Sequence, residues 1–213
     1  RGNMRAIQFD TIRRLASVFE KYGLRGTFNA EIMQQLKHLE FGGREPRILE
    51  LAREWEETVK EMYGRGHDFQ LHVHPQWNDA RYENGLWTLG EQWSITAFPE
   101  HEASGMLSRC RDYLEDLLRR VDPAYNCAAF RSGAWCLAPS DFLLRLLADM
   151  GIVFDMSIAE GIHYDLDMVK LDYRNLEESF LPFYPHMRDA RRLSPSAEPI
   201  VCVPISLSPI RNP

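Results

Sequence analysis

The sequence predicts an α/β fold built from parallel strands joined by helices. Two observations carry this. Short apolar or alternating runs take turns with stripes of helical period along the chain, which is the rhythm of βαβ units. Polar residues also fall where the strand-like runs stop. Asn29, His74, Arg131 and Asp155 each stand at or just past the carboxyl end of a predicted strand, the edge on which such folds build their sites.

The elements follow in order. Ile12, Leu15, Phe19 and Tyr22 recur at helical spacing, and Gly23 stops them. Leu24 to Phe28 reads as a short strand. Ile32, Met33, Leu36 and Leu39 form a second helical stripe. Ile48, Leu51, Ala52, Trp55, Val59 and Met62 form a third, closing at Gly64 or Gly66. From Asp68 to His74 the alternation is strict: Phe69, Leu71 and Val73 point one way, Gln70, His72 and His74 the other. Pro75 ends the run, having no N–H to give a ladder. Residues 76–100 read as a long excursion, and long loops in compact domains tend to carry function.

A helix is expected at about 101–120 on Leu107, Tyr113, Leu114, Leu117 and Leu118. Cys127 to Phe130 is a short strand that runs into Arg131. Phe142, Leu143, Leu146, Leu147 and Met150 form the next helix, between Pro139 and Gly151. Ile152 to Phe154 is a strand that runs into Asp155. Residues 159–198 read as irregular, and Ile200 to Leu207 as a final strand.

With 213 residues, 45% of them hydrophobic, the chain can bury one substantial core, so a single domain over 1–213 is expected. A net charge of −6 argues against a nucleic-acid binder and a polybasic membrane-surface protein. No apolar run approaches the roughly 20 residues that span a bilayer. No secretory signal is visible, and a cytoplasmic location is the expectation. Cys110, Cys127, Cys136 and Cys202 show no C-x-x-C spacing and read as buried thiols.

His72 and His74 are the chemically informative pair. Two apart on one strand, both imidazoles leave the same face and can converge on one ion, and imidazole suits zinc and other first-row divalent metals. A catalytic site needs a third protein ligand, a carboxylate or another His. His67 has the wrong parity and reads as structural. His38 and His101 read as solvated.

Gly66-His67-Asp68-Phe69-Gln70-Leu71-His72-Val73-His74-Pro75 resembles the metal-binding motif of polysaccharide deacetylases (carbohydrate esterase family 4). Phe19 to Phe28 resembles that family's helix and second strand. Phe130-Arg131-Ser132-Gly133-Ala134-Trp135 resembles its arginine motif, and Phe154-Asp155-Met156-Ser157 the following strand end. The resemblance covers roughly residues 11–158. It implies a distorted (β/α) barrel of fewer than eight strands, about seven. It also implies metal-dependent removal of an N-acyl group, typically acetyl, from an amino sugar. A cytoplasmic chain would meet that sugar in a precursor for cell-surface polysaccharide assembly, and a polysaccharide substrate stays open. The implied metal ligands are an Asp and two His. A second Asp serves as general base, and the arginine orients that base.

The sequence departs from the pattern in three places. The family's histidines are usually four apart, yet position 76 is Gln76, so this variant uses His74. The paired acidic motif of the first strand is absent before the helix at 11–22. The chain begins Arg1-Gly2-Asn3, and the expectation is a domain lacking its first strand. Asp10, the nearest carboxylate, reads as a helix N-cap. The late Leu-x-His motif, which supplies the general acid, is not recognisable before Pro213.

The candidate site is therefore His72 and His74 as ligands of a divalent metal, zinc first, with cobalt, nickel or manganese as substitutes. Arg131 and Asp155 are candidate catalytic residues. For Arg131 the alternative is a salt bridge that closes the barrel, and for Asp155 a loop cap. Trp77 and Trp135 are the candidate substrate-binding aromatics, because aromatic faces pack on sugar rings. For Trp77, as for Trp87 and Trp93, the alternative is an anchor for the long loop. The expected ligand is an acylated amino sugar. The competing expectation is a non-catalytic sugar-binding relative that kept the fold and lost the acidic motif.

Overall fold

The structure is a computed structural model and describes residues 4–205. A π-helical turn, Arg5–Phe9, runs without a break into α1 (Asp10–Lys21). Gly23, at φ +69, closes α1, with the Leu24 N–H donated back to the Phe19 carbonyl. That left-handed step suits glycine, which carries no Cβ to clash. β1 (Thr27–Glu31), α2 (Ile32–Gly42), α3 (Pro46–Gly64) and β2 (Asp68–Val73) follow. A 3-10 turn, Pro75–Trp77, leads to the hairpin β3 (Arg81–Glu83) and β4 (Leu86–Thr88). Then come α4 (Glu100–Leu118), β5 (Ala129–Ser132), α5 (Leu143–Asp149) and β6 (Phe154–Asp155). Two more hairpins, β7 (His163–Leu166) with β8 (Val169–Asp172) and β9 (Pro185–His186) with β10 (Asp189–Leu193), precede β11 (Val201–Cys202).

Five strands form the central sheet in the order β1-β2-β5-β6-β11, and every pair is parallel. Strict alternation makes β2 its pivot. Phe69, Leu71 and Val73 are buried in one core with Met33, Val59, Met62, Leu107 and Leu114 from α2, α3 and α4. The opposite face carries Gln70, which is also buried. Its Oε1 accepts from the backbone N–H groups of Ala128 and Ala129, and its Nε2 donates to Asp68. Gln70 thus ties β2 to the entry of β5. All four cysteines are buried free thiols. Among the described residues, no helix is long and apolar enough to cross a membrane.

Several expectations are corrected. The strand expected at 24–28 lies at Thr27–Glu31, because residues 22–26 form the turn out of α1. Residues 76–100 contain a hairpin whose tip, Asn84-Gly85, has φ of +52 and +80, the two-residue turn that Asn-Gly favours. Residues 159–198 hold two hairpins rather than irregular chain. Asp10 is not an N-cap, since helix already precedes it. His38 is buried rather than solvated. The last strand is confined to Val201–Cys202, while the expected positions 206 and 207 lie outside the described residues. The parallel sheet has five described strands where about seven were expected, since the remaining extended segments pair as antiparallel hairpins.

Candidate metal centre

The ladder register builds the site. In the β1–β2 pair, Glu31 stands opposite His72, and in the β2–β5 pair, His72 stands opposite Arg131. Residues that face each other in adjacent parallel strands project to the same side. Glu31, His72 and Arg131 therefore form a row across three strands at the carboxyl edge of the sheet. His74, two residues beyond His72, extends the row outward.

Glu31 was missed by sequence reasoning, which ended the first strand at Phe28. The signal was present: Thr27, Asn29 and Glu31 alternate, and Glu31 immediately precedes a helical stripe. Its placement has a local cause. Glu31 is the N-cap of α2, and its Oε1 accepts from the N–H groups of Met33 (3.0 Å) and Gln34 (3.3 Å). A helix N-terminus favours negative charge. With one oxygen held by the helix, the other, Oε2, meets Nδ1 of His74 at 2.6 Å.

His72 is oriented from behind. Its Nδ1 lies 2.8 Å from the Arg131 carbonyl, which can only accept, so Nδ1–H donates and Nε2 keeps its lone pair. Burial lowers the His72 pKa, against an opposing pull from Glu31, and so favours the neutral ring that binds metals. The two imidazole centroids are 4.5 Å apart. Ligand atoms of Glu31, His72 and His74 all lie within 4.8 Å of one another, and this group could hold a metal ion. Two imidazoles and one carboxylate are a recurrent donor set for catalytic zinc.

Gly133, just after β5, lets this corner close. A Cβ there would lie 2.6 Å from the Val73 carbonyl oxygen and 2.8 Å from Cδ2 of His74. The exit of β5 packs against the His74 ring only because no side chain intervenes.

The site opens on a cavity of about 440 Å³. Asn29, His72, His74, Gln76 and Arg131 line its polar side. Trp93, Trp135, Tyr164, Leu166 and Val169 line its apolar side, the last three from the β7–β8 hairpin. Arg131 is partly buried, and its guanidinium lies 5.7 Å from the centre of the Trp135 ring. Desolvation lowers the Arg131 pKa, and the charge of Asp155 opposes that shift. The loop carrying Trp135 is pinned by the fully buried Tyr173. The Tyr173 hydroxyl donates to the Trp135 carbonyl at 2.8 Å and accepts from the N–H groups of Leu137 and Ala138. Both Ala134 and Trp135 have positive φ, 50° and 57°.

The other two predicted residues lie elsewhere. Asp155 is fully buried and does not line the cavity. Its oxygens accept from the Ser157 hydroxyl (2.6 Å) and the Ser157 N–H (3.0 Å), and the Ser157 hydroxyl oxygen in turn accepts from the Ser132 N–H. Desolvation raises its pKa to about 6, against the opposing hydrogen bonds and Arg131. Asp155 thus braces the end of β5 through Ser157. Trp77 is not among the residues lining the cavity either. Its ring packs against His38 and Trp87, 6.0 and 5.2 Å between centroids, and fastens the β3–β4 hairpin to α2. His67 is structural, bridging the Gly26 N–H to Glu20, and His101 is exposed. No family model matches the chain, and no curated protein or solved structure matches it.

Proposed function

We propose that the protein is a metal-dependent hydrolase that removes an N-acyl group, acetyl in the first instance, from an amino sugar of a polysaccharide or its precursor. In this reading the five-stranded sheet is part of a distorted (β/α) barrel. The observation that carries the proposal is the convergence of Glu31, His72 and His74 at the carboxyl edge of the sheet, beside a cavity walled by Arg131 and aromatic rings.

The donor set fits zinc, with cobalt, nickel and manganese as alternatives. A divalent ion held by Glu31, His72 and His74 supplies Lewis acidity and lowers the pKa of water bound to it. The chain's own residues do the rest. The Arg131 carbonyl holds the proton on Nδ1 of His72 and so fixes the tautomer. The Arg131 guanidinium gives the cavity wall a positive charge toward a developing oxyanion. Trp135 offers a ring face to a pyranose, and the β7–β8 hairpin narrows the access of water.

One observation favours the alternative, a sugar-binding protein without turnover. Among the described residues, no Asp or Glu lines the cavity, and Glu31, the acidic member of the row, is committed to α2 and His74. The deciding experiment follows acetate release from N-acetylglucosamine oligomers and from nucleotide-linked N-acetylglucosamine, with zinc or cobalt added. Release that needs the metal and disappears in His72→Ala supports the hydrolase. Sugar binding with no acetate release under any metal supports the binding protein instead.

A further inference from the structure

Arg131 is half-buried, and among the described residues its guanidinium has no hydrogen-bond acceptor and no salt-bridge partner. It differs in this from every other half-buried arginine or lysine described. Arg13, Lys37, Lys60, Arg65, Arg111 and Arg191 each lie 2.5–2.9 Å from a carboxylate oxygen. Asp155 is the carboxylate whose charge reaches Arg131, yet no ion pair forms. Its oxygens accept from the Ser157 N–H and hydroxyl and from the Cys202 thiol. The Trp135 ring, 5.7 Å away, offers a face but no acceptor. A guanidinium keeps its proton in a protein, so a desolvated one is relieved by an anion and not by neutralisation.

The group is reachable from the cavity. Arg131 stands opposite His72 and shares its face of the sheet. Phe130 and Ser132, on either side, are 0% and 1% exposed, and the Arg131 carbonyl is taken by Nδ1 of His72. What Arg131 exposes is therefore its side chain, beside Trp135 in the cavity lining. Among the described residues that line the cavity, Arg131 is the sole arginine, lysine, aspartate or glutamate. Glu31 stands beyond His72 in the row and is held by α2 and His74.

We infer that the ligand of this cavity is anionic: an acylated amino sugar that carries a carboxylate or phosphate group, paired with the Arg131 guanidinium. The inference rests on the reading of the cavity as an amino-sugar site and narrows the class of sugar. Carboxylates and phosphates present two oxygens that match the guanidinium fork. Trp93 and Trp135 remain as apolar wall for the sugar ring. A neutral sugar would exclude water from the cation and supply no countercharge, which disfavours it. Arg131 thus sets specificity by charge.

The test uses the full chain stripped of metal, so that no anion binds through a metal ion. Calorimetry compares neutral N-acetylglucosamine with N-acetylmuramic acid, a carboxylate, and with N-acetylglucosamine 1-phosphate. At least one acidic sugar should bind roughly tenfold more tightly than the neutral one, and the tighter of the two identifies the anion. Arg131→Gln should reduce that sugar to the affinity of the neutral one. Arg131→Lys, which keeps the charge but not the fork, should fall between. Thermal unfolding checks that both variants are folded, and the comparison of sugars on the unaltered chain needs neither. No binding of any of the three sugars, equal binding of all three, or a preference that survives Arg131→Gln would each overturn the inference. An acidic sugar held through Arg131 with no acetate release under any metal leaves the inference standing and the hydrolase reading fallen. Acetate released equally from neutral and acidic sugars does the reverse.

Discussion

Glu31 of β1 and His72 of β2 occupy facing positions in the parallel ladder, and the same carboxylate caps α2 and meets His74. Glu31 thus joins the metal cluster to a helix terminus, and two substitutions separate its roles. Glu31→Ala should lose both, lowering stability by about 1 kcal/mol as a lost N-cap does and abolishing metal uptake. Glu31→Gln keeps an oxygen for the Met33 and Gln34 N–H groups but offers the metal a neutral amide. It should retain most of the stability while binding metal at least about tenfold more weakly. Urea unfolding beside zinc titration checks both.

Gly133 contacts His74 only through the space its missing Cβ leaves. Gly133→Ala should push the end of β2 and the His74 ring away, costing about 1–3 kcal/mol, as overpacking does. Metal affinity should fall although no ligand has been altered. Zinc affinity equal to that of the unaltered protein would show that His74 is not held by this contact.

Trp77 and Trp135 were both expected to bind substrate, yet the fold gives them different neighbours. Trp77→Ala should cost about 3 kcal/mol by emptying the aromatic cluster around His38 and Trp87, with little change in sugar affinity per folded molecule. Trp135→Ala should cost less stability and weaken sugar binding more. Paired denaturation and ligand titration of the two variants compare them directly.

His38 is buried between the rings of Trp77 and Trp87, and desolvation lowers its pKa to about 4. Between about pH 4 and the unfolded value near 6.5, the unfolded chain binds more protons than the folded one, so stability rises with pH across that window. His38→Phe removes this contribution. The unaltered protein should lose on the order of 3 kcal/mol relative to the variant as the pH falls from 7 to 4, read by denaturant midpoints at a series of pH values. Parallel pH profiles would contradict the assignment.

Strict alternation over six or seven residues made β2 legible in the sequence, and the same-face relation of His72 and His74 followed from it. Long helical stripes placed α3 and α4 to within a few residues for a similar reason, since each buries one continuous face. Glu31 was passed over because it belongs to two elements at once: strand position and helix cap overlap in a single residue, and the helical stripe after it masked the Thr27, Asn29, Glu31 alternation. The three hairpins were obscured by short, mixed strands, although Asn84-Gly85 marked one of them. Asp155 and Trp77 show a different gap. Asp155 was singled out by its strand-end position and Trp77 as an aromatic ring past the histidine motif, but only the hydrogen bonds to Ser157 and the packing on Trp87 show what holds them outside the cavity.

The central claim is that Glu31, His72 and His74 hold one divalent ion. The most direct measurement is anomalous diffraction at the zinc edge on crystals grown with zinc, together with zinc stoichiometry in solution. One strong peak among these three side chains is predicted, with one zinc per chain in the unaltered protein and none in His72→Ala. A zinc-saturated crystal with no peak there, or full stoichiometry retained in His72→Ala, would contradict the account.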